Sequence, residues 1–246
     1  MKKIKLLSSL SLLGVIAASA PIVATSCSNY TGFIKSVDGS NLWVTQPGNV
    51  KVFMPMGKDT KPVPSVKWSI KDAGSLDGKI NVKPDGTPGV FGWIQIKEDA
   101  TIEKQETITV HGENEDKSFN ADSYITIKSN PNNASYKVKI DDEDQSTFTT
   151  SKGMQQALTT GVKFKILKQD DTLVDSKWQW SLGTPVVGLN ETTKLAFGLT
   201  TNGEATLKAS TTAVPTNPVF AFCTAMNSDT KEELTIILTL TPEQSK

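Results

Sequence analysis

The chain has 246 residues, with 26 acidic side chains balanced by 26 basic ones, so its formal charge is zero. Every basic residue is lysine, and a chain without guanidinium forks has no bidentate arginine grip on phosphate. One histidine and two cysteines are too few for a Cys/His zinc site, and the balanced charge excludes the strongly basic body of a nucleic-acid binder.

The first segment carries Lys2, Lys3 and Lys5, followed by a mostly apolar or small run from Leu6 to Ala20. That is the layout of an export signal, and the run falls short of the roughly 20 residues a membrane span needs. The segment ends Ala24-Thr25-Ser26-Cys27. A cysteine directly after small residues suits cleavage before Cys27, with a diacylglycerol on its thiol and an amino group open to acylation. Two or three acyl chains, at roughly 0.8 kcal/mol per buried CH₂, make a stable anchor. Cleavage there leaves 220 residues with 23 lysines against 26 acids, a net charge of −3. The expected location is the outer face of a cell membrane, held by lipid on Cys27, with no nucleic-acid partner.

Beyond the signal, apolar residues alternate in short runs. These include Val50/Val52/Met54, Val66/Trp68/Ile70, Ile94/Ile96, Ile108/Val110 and Ile125/Ile127 in the first half. The second half has Val162/Phe164/Ile166, Trp178/Trp180/Leu182, Leu195/Phe197/Leu199, Ala205/Leu207/Ala209, Phe220/Phe222 and Leu234/Ile236/Leu238/Leu240. Spacing of two puts such side chains on one face of a strand. Turn signals such as Lys83-Pro84-Asp85-Gly86 and Thr201-Asn202-Gly203 separate the runs. The clearest helical stretch is short, Lys152 to Leu158.

The halves repeat. Val50-Lys51-Val52 precedes Trp68-Ser69-Ile70 by the same 18 residues that separate Val162-Lys163-Phe164 from Trp180-Ser181-Leu182. A second match at offset 111 aligns Gly92-Trp93-Ile94 with Gly203-Glu204-Ala205. The reading is all-β: a signal peptide at 1–26, a tether at 27–40, a β-sandwich at 41–129, a linker at 130–135 and a second β-sandwich at 136–246. Placed end to end, two modules would reach on the order of 80 Å.

This order of strands is similar to bacterial immunoglobulin-like modules, in which a Trp-Ser strand packs on the core. The resemblance makes Trp68 and Trp180 core anchors; the immunoglobulin cysteine pair is absent. The signal, the relaxed box at Cys27 and the arginine-free, Asn/Thr/Lys-rich body also resemble mollicute surface lipoproteins. That resemblance implies surface exposure, antigenicity and adhesion to host or neighbouring-cell macromolecules.

Catalytic groups are sparse. A histidine-dependent triad has only His111 to build on. Cys223, in Phe220-Ala221-Phe222-Cys223, reads as a buried small hydrophobe once Cys27 is acylated. The acidic runs Glu113-Asn114-Glu115-Asp116 and Asp141-Asp142-Glu143-Asp144 lack the spacing of a calcium loop and read as solvated loops. No cofactor or metal site is expected. The leading expectation is a non-enzymatic surface antigen or interaction protein. The alternatives are an importer's substrate-binding lipoprotein and a secreted carboxylate-dependent hydrolase. Trp93 is the one candidate contact residue, because its parity is opposite to that of Ile94 and Ile96. A second packed layer over it is the competing reading. Trp43 and Trp178 cannot be placed from the pattern, although Trp178 shares the parity of Trp180.

Overall fold

The computed structural model describes residues 31–37, 41–44, 49–84, 89–97, 99–129, 136–145, 148–183, 188 and 192–242. Cys27, the signal and the linker at 130–135 lie outside the described residues, as do the side chains of 41–44. The first half forms β1 (Gly32–Ser36), β2 (Asn41–Val44), β3 (Val50–Gly57), β4 (Lys67–Asp72), β5 (Ile80–Lys83), β6 (Gly92–Ile96), β7 (Glu106–Glu113) and β8 (Asn120–Ser129). The second half forms β9 (Lys137–Ile140), β10 (Glu143–Asp144), β11 (Thr149–Gly153), α1 (Met154–Thr159), β12 (Val162–Leu167), β13 (Trp178–Leu182), β14 (Thr193–Phe197), β15 (Ala205–Thr211), β16 (Val219–Asn227) and β17 (Glu233–Thr241).

Each half is an immunoglobulin-like sandwich of two sheets. The first pairs β1-β3-β6-β5 with β2-β8-β7-β4, and the second pairs β10-β9-β12-β15-β14 with β11-β17-β16-β13. Both share one wiring. An opening strand pairs antiparallel in one sheet (β1 on β3, β9 on β12), and a later one pairs parallel with the closing strand of the other (β2 on β8, and β11, after the short β10, on β17). The strand Gly32–Ser36 falls inside the stretch read as tether. It is an edge strand of five residues with Phe33 44% exposed, too short and too wet to leave an alternating signal. Lys152 and Gly153 close β11 and the helix begins at Met154, because β11 is held in register against β17.

The tryptophans repeat as core anchors. Trp68 packs edge-on against Phe53, and Trp180 tilts against Phe164 and Phe197. Each needs a glycine beside it. A Cβ on Gly92 would stand 2.7 Å from the Trp68 ring. Gly203, at φ +74°, lets its carbonyl accept the Trp180 Nε1–H at 2.6 Å.

The two sandwiches lie side by side, not end to end. Seven of eight residues of β3 are buried, because β3 has a sandwich on each face. Phe53 joins Trp68, Ile94 and Val110 in the first core. Val50, Val52, Met54 and Met56 belong to a cluster with Phe222 and Ile237 of the second half. Phe91 wedges across this seam, its ring centroid 5.3 Å from Phe220 and 4.9 Å from Phe222. The alternation puts Val50, Val52 and Met54 on one face of a strand without saying what covers it. They line the seam, a choice that alternation alone does not make when both parities are apolar.

The direction of the seam strands fixes where the ends go. Asn49, just before β3, donates its side-chain Nδ2–H to the Glu233 carbonyl at the start of β17. Phe91 precedes Gly92, which pairs with Phe53, and it meets Phe222, which pairs with Ile237 further along β17. β3 and β17 therefore run the same way. Tyr136, the first described residue of the second half, sits beside Glu232 at one end, while Thr31 and the end of β17 sit at the other. The longest strand, β8, has ten residues, so the body is on the order of 40 Å tall, about half the end-to-end expectation.

Candidate functional site

Four layers of sheet leave two broad outer faces. On the outer face of the first sandwich, pairing sets Ser69, His111 and Asp122 in one cross-strand row. The sequence gives no hint of this, because only register brings 69, 111 and 122 together. His111 Nδ1 and Asp122 Oδ1 are 2.6 Å apart, and Lys71 Nζ bonds the same carboxylate at 2.9 Å. The row is not a hydrolytic triad. Ser69 is exposed and makes no hydrogen bond to His111, and His111 Nε2 faces Glu113 at 3.7 Å. The neighbouring backbone N–H groups on β7 are spent in the ladder to β4 and β8, which leaves no oxyanion cradle. Cys223 lies in the second sandwich's core, and burial pushes its thiol far above the ordinary value. It lies layers away from His111.

The acidic runs are used by lysines. Glu115 pairs with Lys67 at 2.8 Å, Asp141 with Lys152 at 3.2 Å, Asp142 with Lys165 at 2.7 Å and Asp144 with Lys139 at 3.3 Å. The Lys165 hydrogen bond holds the Asp142 carboxyl below its usual range. Among the described residues no three His, Cys, Asp or Glu side chains converge to hold a metal ion.

Trp93 does point away from the first core, as its parity requires. It is half-buried, packed against the seam cluster with Phe91 at 5.8 Å. The surface it meets belongs to its own chain. Trp178 and Trp180 are both buried.

At the Tyr136 end of the seam the contacts become polar. Lys51, 1% exposed, lies 3.7 Å from the Glu233 carboxylate. Beside them Glu232 is buried and accepts hydrogen bonds from the Thr230 hydroxyl at 2.9 Å and the Tyr136 hydroxyl at 3.4 Å. Burial raises the Glu232 carboxyl above its ordinary 4.5, and burial with the nearby Glu232 pushes Tyr136 up to about 12. A raised carboxyl binds its proton more tightly in the folded chain. Its contribution to stability is therefore complete below the unfolded value and is lost as pH rises through the folded one. Glu232→Gln should raise the melting temperature at pH 7 and leave it nearly unchanged at pH 4. Equal shifts at both pH values would show that the carboxyl does not titrate in this way.

The outer face of the second sandwich carries the better candidate site. The pattern Val162-Lys163-Phe164-Lys165-Ile166 buries its apolar residues and turns Lys163 and Lys165 outward. A shallow groove of about 480 Å³ lies on this face, its lining including Lys163, Lys165, Leu199, Thr201, Thr206 and Lys208, with Glu204 paired to Lys165 at 3.6 Å. Leu199 was expected on a strand face with Leu195 and Phe197. β14 ends at Phe197, and Leu199 stands 90% exposed in the turn before β15. Most of this leucine faces water, so nothing in the core accounts for it.

No family model matches this chain. No curated protein matches it either. Among solved structures it is similar to a SusE-like surface-located polysaccharide-binding protein of Bacteroides thetaiotaomicron, with 17% identity over 86% of this chain and a TM-score of 0.28. This chain spans only 33% of that protein's length. It is also similar to N-cadherin ectodomain repeats of Drosophila, with 13% identity, a TM-score of 0.30 and coverage of 87% of this chain and 68% of that one. An Escherichia coli adhesin gives 10% identity and a TM-score of 0.27, covering 88% of this chain and 65% of the adhesin. Likeness at this level supplies no correspondence between site residues.

Proposed function

We propose that this chain is a lipid-anchored, non-enzymatic surface protein that displays a paired-sandwich body for binding. The observation that carries the reading is where the body begins. The first strand among the described residues starts at Gly32, and Thr31, only four residues after Cys27, is bonded to Asn120 at the end opposite Tyr136. Four residues reach at most about 14 Å. Lipid on Cys27 would hold that end against the membrane and present the β12–β13, β14–β15 and β16–β17 loops outward. No helix among the described residues is long and apolar enough to cross a membrane.

An importer's binding protein needs a cleft between its lobes. Here Val52, Met54, Phe91, Phe222 and Ile237 occupy the space between the halves. A carboxylate-dependent hydrolase needs two carboxyls facing each other across a cleft, and the acidic runs here pair with Lys67, Lys152, Lys165 and Lys139 instead.

Intact mass of the membrane-extracted chain tests the anchor. The expected mass starts at residue 27 and includes a diacylglyceryl group, and Cys27→Ser abolishes both the lipid and the membrane association. A wild-type mass without lipid would overturn the anchor.

A further inference from the structure

The outer face of the second sandwich carries three lysines on a diagonal. Lys163 on β12 pairs with Thr206, so Lys208 is its diagonal neighbour on β15. Lys208 pairs with Ala196, so Lys194 is the next diagonal neighbour on β14. Diagonal neighbours of this kind are about 7–8 Å apart. All three are exposed. Elsewhere on the same face each outward lysine has its own carboxylate: Lys137 with Asp171, Lys139 with Asp144, Lys165 with Asp142 and Glu204. Among the described residues, Lys194 and Lys208 have no carboxylate within ion-pair distance. The carboxylates near Lys163 are engaged elsewhere: Asp142 is held by Lys165, and Asp141 by Lys152 and the Lys163 backbone N–H. On a body with an excess of acids, a line of three exposed lysines, none of them in an ion pair among the described residues, is a local exception.

Beside this line lies the groove walled by Leu199, with the Thr201 and Thr206 side chains on its surface. Cations at regular spacing, hydroxyls and one bare aliphatic side chain fit a polymer that has repeated anionic groups, hydroxyls and apolar C–H faces. We propose that the Lys163–Lys208–Lys194 line and the groove at Leu199 bind an acidic glycan, sulfated or carboxylated. The proposal supplies a ligand class for the surface-display reading and rests on it for access to such polymers. Two other polyanions are less well matched. Among the described residues this face presents no exposed aromatic ring for base stacking, since Phe164 beneath the groove is fully buried, and single-stranded nucleic acid would require one. A lipid surface would meet this face only if the body lay on its side.

The test uses the full chain carrying Cys27→Ser, so that failure of the anchor cannot affect the result. Retention is measured on immobilised heparin and on a hyaluronan surface across a salt gradient, with neutral dextran as blank. The expected result is retention at low salt on at least one acidic glycan. Lys163→Glu/Lys194→Glu/Lys208→Glu should weaken this at least tenfold, and Leu199→Ser should weaken it several-fold at unchanged charge. A control triple, Lys58→Glu/Lys61→Glu/Lys104→Glu, makes the same change in net charge on the first sandwich and should retain binding. Four results would overturn the proposal: no retention of the parent, equal losses in the two triples, equal or tighter binding to an oligothymidine, or equal or tighter binding to phosphatidylglycerol vesicles. Melting curves of both triples establish that they fold.

Discussion

Phe91→Ala should separate the unfolding of the two sandwiches. Phe91 is 7% exposed and touches three aromatic rings, two of them in the other half. Removing a buried phenylalanine costs about 3–5 kcal/mol when the site cannot collapse. The Phe91 site is poorly placed to collapse, because both of its walls are sheets fixed by their own hydrogen-bond ladders. For a chain of this size each kcal/mol moves the midpoint by about 2–4 °C, so the loss amounts to about 6–20 °C. The loss should not be uniform. Each sandwich keeps a core of its own, Phe53, Trp68 and Val110 in one and Phe164, Leu207 and Leu238 in the other. A calorimetric trace that is a single transition in the parent should become two in the variant, and small-angle scattering should show a larger radius. Leu199→Ala, at a 90% exposed position, is the control and should leave the midpoint within about 2 °C. A single transition within about 2 °C of the parent for Phe91→Ala would mean that the seam does not couple the halves.

The strands were legible because period-two alternation reports a half-buried sheet, and the repeated valine and Trp-Ser landmarks exposed the duplication. The packing of one sandwich on the other left a weaker signal. Val50-Lys51-Val52-Phe53-Met54-Pro55-Met56 is apolar at nearly both parities, as a strand covered on both faces requires. Phe220 through Ala225 and Leu234 through Leu238 show the same feature. Those runs could have predicted a covered face, but not which surface covers it. The orientation of Trp93 was readable from parity, while its neighbours depend on contacts between the halves. The lysine diagonal is similar: Lys163 alternates visibly, but its line to Lys194 exists only through the register of three strands. Leu199 was misplaced because a strand's alternation continues in sequence past the point where its ladder stops.

Asn49→Ala tests whether the seam opens as a unit. Asn49 is fully buried and acts as a short strand partner made from a side chain. Its Nδ2–H bonds the Glu233 carbonyl at 3.0 Å, and its Oδ1 accepts from Thr235 N–H at 3.2 Å and Val50 N–H at 2.9 Å. β11 pairs with β17 only from Ile237 onward, so Asn49 occupies the part of that edge β11 does not reach. Removing the amide takes from two backbone groups of β17 the partner it supplies, at about 1–3 kcal/mol for each group left in a dry site. The expected loss is about 3 kcal/mol, read as a fall of about 6–12 °C. Asn49→Asp should recover only part of it, since a carboxylate can accept from Thr235 and Val50 but cannot donate to the Glu233 carbonyl. The decisive comparison is the double variant with Phe91→Ala. Asn49 and Phe91 lie at different points along the seam, Asn49 bonded to Glu233 and Thr235 and Phe91 stacked beside Phe220 and Phe222. If the sandwiches part along the whole seam once Phe91 is gone, the Asn49 bonds are already broken. The second substitution should then cost about 1 kcal/mol or less, a coupling well above the 0.3–0.5 kcal/mol scatter of independent sites. Full additivity would mean that the polar and apolar ends of the seam yield separately, and the body would be a hinge closed at two points.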